Sequence, residues 1–60
     1  MYEILLQKAE EITQRYLLSP DSVNDYETAE AISISVSVST ECPDLDIVGR
    51  AKAVLEIFGV

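Results

Sequence analysis

The chain has 60 residues, 48% hydrophobic and 25% charged, and carries a formal charge of −7 from 11 acids against four bases. The composition is globular, but so short a chain buries only about 60% of its unfolded surface and can build only a thin core. One cysteine and no histidine exclude an intramolecular disulfide, Cys/His zinc ligation and every histidine-dependent catalytic pairing. Self-association is then the expected supplement to the core.

The amino-terminal segment, residues 2 to 18, has the period of an amphipathic helix. At 100° per residue Tyr2, Leu5, Leu6, Ala9, Ile12, Tyr16 and Leu17 share one arc opposite Glu3, Lys8, Glu11 and Arg15. Ile4 and Leu18 fall outside the arc, and Glu11 stands four residues before Arg15, the favourable spacing for an ion pair along the helix. Pro20 ends the segment, because it disfavours helical geometry at Ser19 and has no N–H to donate. The first residues also place acids where a secretory signal needs basic residues and a long apolar run. A cytoplasmic setting is expected, in keeping with the unpaired Cys42.

The middle segment, about residues 22 to 40, supports two readings. From Ala31 to Ser39 the chain alternates strictly, with Ile32, Ile34, Val36 and Val38 separated by serines, which is a strand pattern. A single strand would need another chain to pair with its backbone, so this reading gives an α+β protomer with residues 31–39 as an intermolecular strand. Against it, Ser22 followed by Asp25 resembles a helix start, and no turn residue separates Asp25 from the alternating run. Wound as a helix, the run presents Ala29, Ile32 and Val36 on one side and Ala31, Ile34 and Val38 on nearly the other. Such a helix suits a sandwich between its own neighbours and a second subunit. The helix is favoured, and either reading puts Ile32, Ile34, Val36 and Val38, with the outlier Ile4, in an oligomer contact.

The last segment, about residues 43 to 58, is again helical in period. Pro43 suits the first helical position, and Asp44 and Asp46 complement the positive end of the helix dipole. Ile47, Val48, Ala51, Val54, Leu55 and Phe58 form the apolar stripe, with Leu45 and Ile57 outside it. Asp46 and Arg50 are spaced for an ion pair, and Gly59 stands where a left-handed cap belongs, with Val60 folding back towards Leu55. The expected fold is all-α, a single small three-helix domain that assembles as an oligomer, a dimer first.

Charge is unevenly distributed along this framework. The two ends are balanced, while Asp21, Asp25, Glu27, Glu30, Glu41, Asp44 and Asp46 lie in a stretch without Lys or Arg. Direct contact with nucleic acid or an anionic membrane is disfavoured, since both need a basic surface. An acidic stretch either keeps the protein soluble or docks a basic protein partner. The candidate partner site is Asp21, Asp25, Glu27 and Glu30, with Tyr26 among them as an aromatic anchor.

Catalytic and metal chemistry finds little support. Lys8 and Lys52 fall on polar helix faces, and Glu10 and Glu11 project about 100° apart rather than towards each other. Asp44, Asp46 and Gly49 fit three places of a calcium loop, but Val48 and Leu55 occupy places that require ligands. Cys42 precedes the last helix, where the dipole favours a thiolate and the neighbouring acids oppose one. No catalytic, cofactor or metal site is expected. The sequence points to a regulatory or accessory protein–protein interaction module, or alternatively to an acidic nucleic-acid mimic that blocks a DNA- or RNA-binding protein.

Overall fold

In the computed structural model, which describes all residues from Met1 to Val60, helix α1 runs from Tyr2 to Leu18. It stops where Ser19, immediately before Pro20, takes an extended conformation (φ −153°, ψ 93°), as the proline ring requires of its predecessor. A single 3-10 turn, Pro20–Ser22, reverses the chain, and the Ser22 hydroxyl donates to the Ser19 carbonyl at 2.7 Å.

Helix α2 runs from Asp25 to Glu41, so the alternating run is helical and the intermolecular-strand alternative is overturned. Its start is set one residue before the helix. The Asn24 side chain accepts from the Glu27 N–H at 2.8 Å, and the Glu27 carboxylate accepts from the Asn24 N–H at 3.4 Å. This reciprocal capping box satisfies two of the donors that a helix start leaves open; it takes the role expected of Ser22, which instead closes the preceding turn.

Helix α3 runs from Leu45 to Ile57. Pro43 lies outside it rather than at its first position, because Asp44 is the cap and accepts from the N–H groups of Asp46 and Ile47. At the other end Gly59 is left-handed (φ 78°), the one residue with positive φ. The N–H of Val60 donates to the Leu55 carbonyl at 2.9 Å and that of Gly59 to the Glu56 carbonyl at 3.0 Å. These two bonds make a Schellman cap at the place the sequence marks for it.

The helices run up, down and up. Lys8 meets Glu30 and Arg15 meets Glu27, so α1 and α2 are antiparallel; Arg50 meets Glu3 and Glu10 while Phe58 meets Tyr16, so α3 runs alongside α1. Leu6, Ala9, Ile12, Ala31, Val38 and Ala51 form the core, with Tyr2, Val23, Ile34, Cys42, Ile47 and Phe58 packed around it. Half of the innermost residues are alanines, so the helices approach closely around few large side chains. The Tyr16 and Phe58 rings close one end of the bundle, tilted by 45° with centroids 4.8 Å apart, a favourable aromatic geometry.

The buried face of α1 differs from the expected arc. Thr13 is buried within it, its hydroxyl donating to the Ala9 carbonyl at 2.8 Å, whereas Leu5 and Leu17 are exposed. The back-bond to the residue four places earlier makes a threonine acceptable there.

Candidate interaction surfaces

The basic side chains determine which acids remain available. Arg15 holds Glu27 through two hydrogen bonds, at 2.6 and 3.2 Å, and also donates to the Ser22 carbonyl at 2.7 Å, tying α1 to the start of α2. Arg50 lies between two carboxylates of α1. It donates to Glu10 at 2.6 and 3.1 Å and to Glu3 at 2.7 Å. Lys8 pairs with Glu30 at 3.2 Å. The expected pairs along single helices, Glu11 with Arg15 and Asp46 with Arg50, are therefore replaced by pairs between helices. A guanidinium gains more from a forked carboxylate contact than from a loose neighbour one turn away.

These contacts shift the titration of three groups. The Arg15 guanidinium, and to a lesser degree the Asn24 N–H, hold the Glu27 carboxyl below the usual glutamate range. The bond to Glu27 raises Arg15 in turn, and Glu10 followed by Glu3 raises Arg50, so both arginines stay charged throughout the accessible range.

The acids expected to dock a partner are accordingly divided. Asp21 in the 3-10 turn and Asp25 at the start of α2 are exposed without a cation, and Tyr26 beside them is 75% exposed. Glu27 and Glu30 are half-buried and already hold Arg15 and Lys8. Glu41, Asp44 and Asp46 lie at the opposite end of α2, about 25 Å away along a helix of 17 residues. A stretch that is continuous in sequence thus becomes two acidic poles separated by uncharged helix.

That intervening helix presents the residues expected at an oligomer contact, though not all of them outwards. Val38 is completely enclosed and Ile34 packs on the core, so both serve the protomer itself. Val36 is exposed on the outer side, Ile32 is half-buried at its edge, and Ile4 is exposed on α1. Tyr26, Ala29, Ser33, Val36 and Thr40 all face outwards at alternating spacings of three and four, the repeat of a helix seam. Between Ala31 and Thr40 there is no charged residue.

An open groove of about 200 Å³ lies between α1 and α3. Leu17, Ala53, Val54 and Ile57 line its apolar end, and Glu10 and Arg50 its polar end. In the sequence Ile57 is only an outlier from the apolar stripe, because the groove exists only where α1 and α3 run side by side. Cys42 is half-buried at the end of α2, its Sγ 4.0 Å from the Asp44 carbonyl oxygen. No three acidic or cysteine side chains converge as a metal-ligand set, and no helix is long and apolar enough to cross a membrane. No family model matches the chain, and no curated protein or solved structure matches it.

Proposed function

We propose that this chain is a small acidic protein–protein interaction module that works as a homo-oligomer, a dimer in its simplest form, in a regulatory or accessory role without catalysis. One observation carries the reading: between Ala31 and Thr40 the outer face of α2 is exposed and uncharged, on a chain of charge −7. Two copies so charged approach with least repulsion where neither carries a charge. An antiparallel pairing keeps Glu30 away from its own copy and opposes the two helix dipoles, and small residues at Ala29 and Ser33 permit close approach. The added burial supplies what a core this thin lacks. The unpaired Cys42 fits the reducing conditions of the cytoplasm.

The substitution Val36→Asp tests this at the seam. It should leave the helical content intact, since Val36 is exposed, and convert a dimer to a monomer in light scattering. A wild-type monomer, or a dimer that survives the substitution, contradicts the reading.

A second reading, the acidic nucleic-acid mimic, draws on the exposed acids Asp21, Asp25, Glu41, Asp44 and Asp46, which form no ion pair. It requires capture of a DNA- or RNA-binding protein that weakens steeply as salt rises. It is the weaker reading, because Glu27 and Glu30 are engaged within the chain and the remaining acids are divided between two poles.

A further inference from the structure

The groove between α1 and α3 is distinct from the α2 seam, and its two ends differ in chemistry. Leu17 and Ile57 are 61% and 38% exposed, so the apolar end is open and unfilled by the chain itself. Its volume of about 200 Å³ exceeds the ~150 Å³ that suffices to hold a benzene ring in an engineered cavity. An aliphatic or aromatic side chain therefore fits there.

The polar end is anionic. Arg50 is the one cation that lines the groove; it is shared by Glu10 of the lining and by Glu3 just outside it, which leaves a negative charge in excess. Asp46 lies one turn before Arg50 on the same side of α3 and adds another without a cation of its own. Lys52 projects from a different side of the helix, because residues two apart do not face each other. From Arg50 to Ile57 is seven residues, about 10 Å of helix.

We infer that this groove docks a cationic amphipathic peptide segment of a partner protein. A bulky apolar residue of the segment enters between Leu17, Ala53, Val54 and Ile57, and a Lys or Arg two helical turns away meets Glu3, Glu10 and Asp46. The charge of the mouth selects against acidic segments and against anionic lipid. A second copy of the chain is a poorer complement: pairs such as Leu45 and Lys52 have the spacing, but on a body that carries −7. The inference rests on the reading of the chain as a binding module but uses a surface separate from the α2 seam. Val36→Asp and Ala53→Trp therefore test the two independently.

The experiment uses two synthetic helical peptides of equal length, one of leucine and lysine and one of leucine and glutamate, titrated into the full chain. Affinity is read by fluorescence anisotropy and the site by amide chemical shifts. The leucine–lysine peptide should bind with salt-dependent affinity and shift the amides of Leu17, Ala53, Val54 and Ile57, while the leucine–glutamate peptide should not bind. Ala53→Trp, at an exposed position that fills the groove, should weaken binding at least tenfold, and Asp46→Lys should weaken it and flatten its salt dependence. The paired change Asp21→Asn and Asp25→Asn, at acids that do not line the groove, should leave it unchanged. Absence of binding, indifference to Ala53→Trp, or shifts gathered around Asp21 and Asp25 would overturn the inference. A fall in the mass of the unliganded assembly on Ala53→Trp would also overturn it and assign the groove to a second copy.

Discussion

Ser35 is completely enclosed, yet its hydroxyl has no hydrogen-bond partner. Thr13 shows the usual remedy, a bond to the carbonyl four residues earlier. An unsatisfied buried hydroxyl costs stability without returning any, so Ser35→Ala should raise unfolding stability by about 1 kcal/mol in a urea titration. A loss of stability would mean that the hydroxyl makes a bond that matters. Lysine at the same position should unfold the protomer. Ser33→Lys and Ser37→Lys should both keep the helix, since both residues face outwards, and only Ser33→Lys, on the proposed seam, should abolish the dimer. The three serines look alike in sequence, because their period of two carries no information about which one a helix turns inwards.

Glu27 is the residue that makes the fold sensitive to acid. It caps α2 and holds Arg15 at once, and its folded pKa lies below the ordinary glutamate value. A depressed pKa means that the folded chain binds this proton less readily than the unfolded one. The stability it contributes is therefore complete above the unfolded value, about 4.3, and is lost as pH falls through the lower folded value. Glu27→Gln should lower stability at neutral pH and flatten the acid limb of a pH–stability profile below about 4.3. A variant profile parallel to that of the wild type would remove Glu27 from this role.

The lesson at the level of elements is that α2 was legible from its ends more than from its middle. Strict alternation of β-branched residues with serine argues for a strand when read alone. A lone strand in a chain of this length has no backbone partner, whereas a helix satisfies its own. Wound at 100° per residue, the same alternation yields two stripes: Ala31 and Val38 enter the core, and Ala29 and Val36 remain outside. Asn24 and Glu27, three residues apart, carry the start signal, and the cap falls two residues after Ser22, the position the sequence suggests for it. Asn24→Ala should cost about 1 kcal/mol of stability, the usual worth of such a cap. Gly59→Ala should cost a similar ~1 kcal/mol, since an L side chain at φ 78° is strained. Denaturant titrations check both, and an unchanged midpoint in either would show that its helix end frays without consequence.

Across the bundle, the sequence shows the two terminal helices and leaves the middle segment open between helix and strand. It does not show which charges meet, because contacts between helices depend on how the bundle closes. Arg50 reaches Glu3 and Glu10 across 47 and 40 residues of chain, and no spacing rule contains such a pair. The same closure turns one acidic stretch into two poles and opens the groove beside Ile57. Neutralising Asp21 and Asp25 to their amides should therefore leave fold and mass unchanged, because neither forms an ion pair within the chain.

Sedimentation equilibrium of the wild-type protein over a wide concentration range tests the proposed dimer along α2. A mass of twice the 6.6 kDa protomer is expected at the upper end, with reversible dissociation on dilution and thermal midpoints that fall as the dimer dissociates. A single 6.6 kDa species at every concentration, with a midpoint indifferent to dilution, would contradict it.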